Sequence, residues 1–140
     1  TIPGNAIVLY FVATDTGGPY ACGDSMVYTY SGLVQTGDLK KDVATALNRL
    51  FSIGTQNVGN LRNSLYQSKL KVERIVYKKY DQTLTVYLTG NFVKPKTDCD
   101  QLRYREQVWA TIRQFSGIKR IIVWLDDGNL LGDKLSARDR

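Results

Sequence analysis

The sequence contains few residues that could carry out chemistry, and it lacks the commonest ones. It has no histidine, which removes the Ser-His and Cys-His nucleophilic pairs and the usual acid-base catalyst. Its two cysteines, Cys22 and Cys99, are too few for a four-ligand zinc site. Glycine-rich phosphate loops and the calcium-loop signature are also absent from the sequence. We therefore expect no cofactor, no small-molecule substrate and no conventional catalytic activity.

One pair of neighbouring carboxylates remains. Asp126 and Asp127 could in principle serve as the two acids of a glycosidase. They stand directly before Gly128, however, and an Asp-Gly pair is typical of a tight turn. A carboxylate hydrolase is thus a third class of function, and the turn explains the same residues without one. A Ser-Lys nucleophile stays open, although no pattern in the sequence points to it.

The two cysteines lie in polar settings, Cys22 in Ala-Cys-Gly-Asp and Cys99 in Asp-Cys-Asp. A buried spectator thiol would be unusual in either place. Two cysteines without metal chemistry indicate one disulfide and an oxidising compartment. Such a bridge would close a long loop and could stabilise the fold by about 4 kcal/mol. The alternative is a pair of free thiols in a cytosolic protein.

Charge is distributed unevenly along the chain, although the net charge is +6. Residues 1–39 contain Asp15, Asp24 and Asp38 but no lysine or arginine. All 19 basic residues therefore lie in the remaining 101 positions. This bias favours an anionic partner such as nucleic acid, anionic lipid or an acidic wall polymer. The alternative is a basic protein whose lysines are merely solvated.

Hydrophobic periodicity predicts five strands and two helices. The strands are expected at residues 6–13, 26–31, 71–79, 83–90 and 120–125, the third with a β-bulge. The first helix should be capped by Asp38 and end at Gly54, and the second should be capped by Asp98 and end at Gly117. The order β-β-α-β-β-α-β predicts an α+β fold, with a single mixed five-stranded sheet and two helices packed on one of its faces.

The chain is expected to form one domain over residues 1–140, with its core at about 6–131 and an exposed tail at 132–140. The longest apolar run, at residues 6–13, has the length of a strand and not of a membrane-spanning helix. The sequence begins at Thr1 without a signal peptide, as is typical of a mature chain whose leader is excluded. Membrane contact would then require an N-terminal anchor that this sequence does not contain.

The strand at 83–90 alternates most clearly, with apolar residues on one side and threonines and Tyr87 on the other. This pattern predicts that one face of the sheet is open to solvent. The candidate partner-binding surface on that face comprises Thr85 and Tyr87, joined by Tyr28 and Tyr30 if they share it, because tyrosine is enriched in interfaces. An adjacent edge strand could also pair with another copy. The basic helix surface around Arg105 and Arg113 is the other candidate, and an ordinary solvated sheet face is the alternative to both.

Four stretches of the sequence resemble one known family. They are Ile-Val-Leu-Tyr-Phe-Val at 7–12, Val-Ala-Thr-Ala-Leu-Asn-Arg-Leu at 43–50, Leu-Thr-Val-Tyr-Leu at 84–88, and the helix-to-strand stretch at 107–125 that contains Gln-Phe-Ser-Gly-Ile. Together they resemble the GerM-type (GerMN) domain of sporulation and spore germination proteins, over residues 6–131. The usual Leu-x-x-x-Ile-Pro piece before the third strand is matched only loosely by residues 61–65, and no proline follows them.

The resemblance implies an extracytoplasmic domain of bacterial lipoproteins and envelope proteins, similar to the ring-building domains of sporulation channels, with no catalytic activity. Cys22 and Cys99 resemble a cysteine-bearing variety of the domain, which favours their pairing. We therefore expect a non-catalytic binding or assembly domain outside the cytoplasmic membrane. Its partner would be another envelope protein, a second copy of itself or an anionic wall polymer. The alternative is a basic domain that binds nucleic acid on an open aromatic sheet face.

Overall fold

The computed structural model describes residues 2–135, which form seven strands and three α-helices. The strands are β1 (Ala6–Ala13), β2 (Ser25–Val34), β3 (Asn57–Val58), β4 (Leu61–Arg62), β5 (Lys69–Lys78), β6 (Thr83–Asn91) and β7 (Arg120–Trp124). The helices are α1 (Leu39–Phe51), α2 (Asp98–Arg113) and α3 (Leu131–Lys134). The five predicted strands and both predicted helices are present, and the α+β class is confirmed.

The strands form two sheets, so the prediction of a single five-stranded sheet is wrong. The first sheet has the order β2-β1-β4-β3 and the second has the order β5-β6-β7. The pairs β1–β2 and β5–β6 are antiparallel hairpins, whereas β7 lies parallel to β6. The short strands β3 and β4 arise from the polar segment at 55–69, whose periodicity indicated at most a helical turn.

The two long helices, α1 and α2, each begin at an N-terminus that is capped by a side chain. The Asp38 carboxylate accepts a hydrogen bond from the backbone N–H of Lys41 at 3.3 Å, as predicted for α1. At α2 the cap is Thr97, whose hydroxyl accepts from the N–H of Asp100 at 3.1 Å, so the assignment of the cap to Asp98 is wrong by one residue. The predicted ends at Gly54 and Gly117 are also too late, because α1 ends at Phe51 and α2 at Arg113.

One hydrophobic core joins both sheets and all three helices. The core side of β1 contributes Ile7, Leu9 and Phe11, and α1 packs against both β1 and β5. The largest fully buried side chain is that of Tyr104 on α2, whose hydroxyl hydrogen-bonds Ser68 Oγ at 2.8 Å. Burial raises the pKa of Tyr104 far above its ordinary value, so this phenol stays protonated.

The C-terminal segment departs from the prediction of an exposed tail from residue 132. Residues Leu131–Lys134 form α3, and the side chains of Leu131 and Leu135 are both fully buried. The prediction is therefore wrong for 132–135, and residues 136–140 lie outside the part of the chain that the structure describes.

The second sheet shows the predicted bulge and the predicted two-sided strand. Register shifts between Val72 and Arg74, which leaves Glu73 as the extra residue of the bulge. On β6, Leu84, Val86 and Leu88 are buried on the core side, while Thr85, Tyr87 and Thr89 are half-buried on the other. Thr83 is buried as well, although the alternation placed it on the open face.

Candidate functional site

The two cysteines form the predicted disulfide. Cys22 lies in a 3-10 turn, Ala21–Gly23, and Cys99 lies in the first turn of α2. Their sulfur atoms are bonded and their Cα atoms are 6.1 Å apart, a normal span for a disulfide. The bridge therefore fastens the loop between β1 and β2 to the N-terminal end of α2.

A network of ion pairs reinforces the same attachment. Arg103 Nε donates to Asp24 Oδ2 at 2.7 Å, and Arg103 Nη1 donates to Asp100 Oδ1 at 3.1 Å. Arg62 Nη2 donates to the other Asp100 oxygen at 2.7 Å. The buried carboxylate of Asp24 is thereby neutralised, which its burial requires.

The network also shifts the pKa values of Asp100 and Arg103. Burial alone would raise the pKa of Asp100, but the hydrogen bonds from Arg62 and Arg103 outweigh it and lower that pKa below its ordinary value. The hydrogen bond to Asp24 is the main reason why the pKa of Arg103 is raised. Asp100 and Arg103 therefore keep their charges at neutral pH, as a structural ion pair requires. In residues 2–135 no group of three or more Cys, Asp or Glu side chains is placed to hold a metal ion.

The first candidate surface is the outward side of β1 and β2, here called the tyrosine face, formed by Tyr10, Tyr28 and Tyr30. Register pairs Tyr10 with Tyr28 and Val8 with Tyr30, so these side chains lie on the side of the sheet opposite the core. The rings of Tyr10 and Tyr28 meet edge to face with centroids 6.0 Å apart. Tyr28 is 55% exposed and Tyr30 is 39% exposed, which is high for large side chains.

A shallow groove of about 360 Å³ runs along the tyrosine face. Apolar, aromatic and amide groups line it, and none of its lining residues is charged: Ile2, Pro3, Gly4, Ala6, Val8, Tyr10, Tyr28, Gln35 and Gln114. Burial, followed by the proximity of Tyr20 and Tyr28, raises the pKa of Tyr10. The Tyr10 phenol is therefore a neutral hydrogen-bonding group at physiological pH.

Strand β2 is also an edge of its sheet. In the described part of the chain its one partner strand is β1, so its other backbone edge has no strand beside it. The strand has ten residues without a single charge, and Val34 at its end is 44% exposed. Natural edge strands are usually protected by charges, prolines, bulges or short length. Strand β2 has no charge, no proline and ten residues, and its one protective feature is a bulge at Ser31 and Gly32, where the register with β1 shifts.

The second candidate surface is the outward side of the second sheet, here called the basic face. It comprises Lys71, Arg74 and Lys78 on β5, Thr85 and Tyr87 on β6, and Arg120 and Trp124 on β7, which the strand registers place on one side. The guanidinium carbon of Arg74 lies 3.7 Å from the centroid of the Tyr87 ring, a cation-π contact. The sequence pattern predicts Thr85 and Tyr87 but not their neighbours, because the parallel pairing of β7 with β6 is not visible in local periodicity.

The structure does not bring the six predicted surface residues together. Tyr28 and Tyr30 belong to the first sheet, whereas Thr85 and Tyr87 belong to the second. On α2, Arg105 Nη1 lies 3.5 Å from the carbonyl oxygen of Leu135, and Arg113 is exposed in the last turn. The condition under which Tyr28 and Tyr30 would join Thr85 and Tyr87 is therefore not met, and Arg105 and Arg113 remain a separate helix surface.

The geometry defines a disulfide-closed α+β domain, and comparison with known proteins identifies its fold. No protein-family model and no curated protein matches the sequence. The tandem GerMN domains of the sporulation protein GerM from Bacillus subtilis match with a TM-score of 0.57 at 15% identity, covering 92% of this chain and 42% of that one. A Clostridium perfringens protein described as a lipoprotein matches with a TM-score of 0.50 at 18% identity, covering 91% and 82%. The chain therefore has a GerMN-type fold, and it spans less than half of the GerM structure.

These identities are low enough that the likeness establishes the fold alone. It agrees with the resemblance that the sequence motifs indicated over residues 6–131. Within residues 2–135, none of the helices has the length and apolar character needed to cross a bilayer.

Proposed function

We propose that this chain is a non-catalytic domain of the bacterial cell envelope that acts by assembly, through the tyrosine face and the free edge of β2. The observation that carries the proposal is β2 itself, a charge-free edge strand of ten residues that exposes Tyr28, Tyr30 and Val34. A strand with these properties is a template for a strand from another chain.

The first occupant to test is a second copy of this chain. The protein carries a net charge of +6, which opposes self-association in general. Strand β2, however, lies within residues 1–39, which contain no lysine or arginine. Two copies can therefore approach through β2 without bringing basic side chains together, and antiparallel pairing would place their exposed tyrosines side by side.

An extracytoplasmic location is supported by two independent features. The disulfide between Cys22 and Cys99 requires an oxidising compartment to form and persist. The fold is that of a sporulation protein and of a protein described as a lipoprotein. Alkylation of the protein in intact cells, without a reductant, should leave both cysteines unmodified, and labelling of both thiols would place it in the cytoplasm.

Sedimentation measurements test the assembly surface. Replacing Tyr28 and Tyr30 by lysine adds charge to the strand and should convert an associating protein into a monomer. Tyr80→Lys is the control, because Tyr80 is 84% exposed in the turn between β5 and β6 and is distant in sequence from β2. Association that survives the double substitution, or that Tyr80→Lys abolishes equally, would contradict the proposal.

A photo-crosslinking residue at position 28 distinguishes the partners. We expect a crosslink to a second copy, and a crosslink to a different envelope protein would keep the surface but change its occupant. The same residue at position 80 is the control. If the protein is monomeric at all concentrations and position 28 captures no more than position 80, the surface has been assigned wrongly.

A further inference from the structure

We propose that the basic face binds a linear phosphodiester polymer of the envelope. This surface lies on the second sheet and the assembly surface lies on the first, so the two functions can fail separately. The basic face carries four exposed cations: Lys71, Arg74, Lys78 and Arg120.

The strand registers fix how these cations are spaced. Lys71, Arg74 and Lys78 pair with Thr89, Tyr87 and Thr83 of the central strand β6. Arg120 on β7 pairs with Thr83 from the other side. Lys78 and Arg120 therefore flank β6 in one row, with about 5 Å between neighbouring strands, and same-face residues along a strand repeat about every 7 Å. The cations stand in the rows at Thr89, Tyr87 and Thr83, whereas the row at Thr85 has the apolar partners Val76 and Ile122. An extended polymer can therefore contact cations about 7 Å apart at Lys71 and Arg74, and about 14 Å apart at Arg74 and Lys78.

In the part of the chain that the structure describes, no carboxylate forms an ion pair with a cation of the basic face. Among residues 2–135, the ion pairs involve Arg62, Arg103 and Lys134, and none includes a cation of this face. Three carboxylates lie nearby. Asp81, in the turn between β5 and β6, accepts a hydrogen bond from the backbone N–H of Thr83 at 3.2 Å. Glu73 is the exposed extra residue of the β5 bulge, and Asp126 follows β7 and accepts hydrogen bonds from Thr89 and Gly90. The outward positions of the three strands themselves carry no acid.

Arg74 indicates which class of polyanion fits. Its guanidinium carbon lies 3.7 Å from the centroid of the Tyr87 ring. A guanidinium binds phosphate oxygens through two parallel N–H donors, so Arg74 suits an oxygen-rich anion such as a phosphate. The same contact covers the ring surface on which a nucleobase would stack, which disfavours nucleic acid. The hydroxyl of Thr85 offers a further hydrogen bond between the row of Arg74 and the row of Lys78 and Arg120.

A fluorescence titration with poly(glycerol phosphate) tests this proposal. Trp124 lies on the basic face beside Tyr87, and Trp109 lies on α2 partly packed against the core. The background substitution Trp109→Phe leaves Trp124 as the sole indole and a local reporter. We expect a saturable change in its emission, and weakening of the affinity as salt is added.

Matched variants separate this site from general electrostatics. Arg74→Gln with Lys78→Gln should weaken binding by about tenfold and reduce the slope against log salt by about 2 × 0.7, because two phosphate contacts are lost. Lys40→Gln with Lys41→Gln removes the same charge from exposed positions of α1 and should change the affinity less than about twofold.

Three results would overturn the proposal. One is an equal loss in the Lys40 and Lys41 variant, which would show non-specific attraction. Another is tighter binding of a single-stranded oligonucleotide than of poly(glycerol phosphate) at equal phosphate concentration, which would assign the face to nucleic acid. The third is equal binding of polyglutamate, which would assign it to acidic protein. The variant with lysine at positions 28 and 30 tests whether the two surfaces act independently. It should still bind poly(glycerol phosphate) although it no longer assembles.

Discussion

Gln114 exchanges two hydrogen bonds with the backbone of Val8, a residue 106 positions earlier in the chain. Its Oε1 accepts from the Val8 N–H at 2.9 Å, and its Nε2 donates to the Val8 carbonyl at 2.8 Å. Thr111 and Gln107 repeat the arrangement at Tyr10, with contacts of 3.4 Å and 3.0 Å. Side chains of α2 and of its C-cap residue thus occupy the backbone groups of β1 where a strand would otherwise pair. This edge of β1 is closed, whereas the outer edge of β2 has no strand beside it in the described residues.

The first prediction concerns this edge. Gln114→Leu should lower the free energy of unfolding by about 1–3 kcal/mol, because it leaves two part-buried backbone groups of Val8 without partners. Urea denaturation measures the loss, and faster hydrogen exchange at the Val8 amide locates it. Arg113→Leu, at the exposed neighbouring position, is the control. Equal losses in the two variants would mean that the amide bonds contribute nothing.

Features that depend on residues close together in the sequence could be predicted, whereas features that depend on contacts between distant residues could not. The helix α1 was predicted because Val43, Leu47 and Leu50 recur at helical spacing after a capping aspartate. The division into two sheets was not predicted. It depends on the second edge of β1, which pairs with β4 only at Val12 and Arg62 and is otherwise hydrogen-bonded by side chains at α2. The alternation of apolar and polar residues predicts which side chains of a strand are buried, but it does not predict which strand pairs with it.

The candidate surfaces illustrate the same limit. Alternation correctly placed Thr85 and Tyr87 opposite the core residues of β6. The cations beside them come from β5 across the bulge and from β7 in parallel register, and neither relationship is visible in a single strand. Likewise, Gln107 and Thr111 are indistinguishable in sequence from an ordinary polar helix side, although the structure buries both completely.

The second prediction concerns the disulfide. Replacing Cys22 and Cys99 by serine should lower the free energy of unfolding by about 2–4 kcal/mol, because the unfolded chain gains the freedom of a long open loop. Denaturation with and without a reductant measures it. The reductant should destabilise the parent protein and leave the double serine variant unchanged, and an unaffected parent protein would show that the bridge adds no stability.

The third prediction concerns the C-terminal segment. Leu131→Ala and Leu135→Ala should each cost about 2–5 kcal/mol, because both side chains are fully buried in the core. Thermal or urea denaturation tests this against Lys134→Ala, a partly exposed neighbour in α3. A loss below about 1 kcal/mol for both leucine variants would restore the expectation of a tail that does not contribute to the fold.

The last prediction concerns pH and the pair of arginines that share Asp100. The pKa of Asp100 in the folded protein is lowered, whereas in the unfolded chain it should be near the usual value of about 3.9. Between these two values the unfolded state binds more protons than the folded one, so the stabilisation is complete above the unfolded pKa and is lost as the pH falls through the folded pKa. The free energy of unfolding should therefore decline as the pH is taken from about 5 towards 3.

Asp100→Asn isolates the contribution of this carboxylate. The difference in unfolding free energy between the parent protein and the variant should be about 1–3 kcal/mol at pH 7, since Arg62 and Arg103 lose a charged acceptor. That difference should shrink as the pH falls below about 4, when the parent residue is itself protonated. Asp98→Asn removes a carboxylate from the same helical turn without touching either arginine and controls for net charge. A difference for Asp100→Asn that is independent of pH, or one matched by Asp98→Asn, would show that the ion pairs do not lower this pKa.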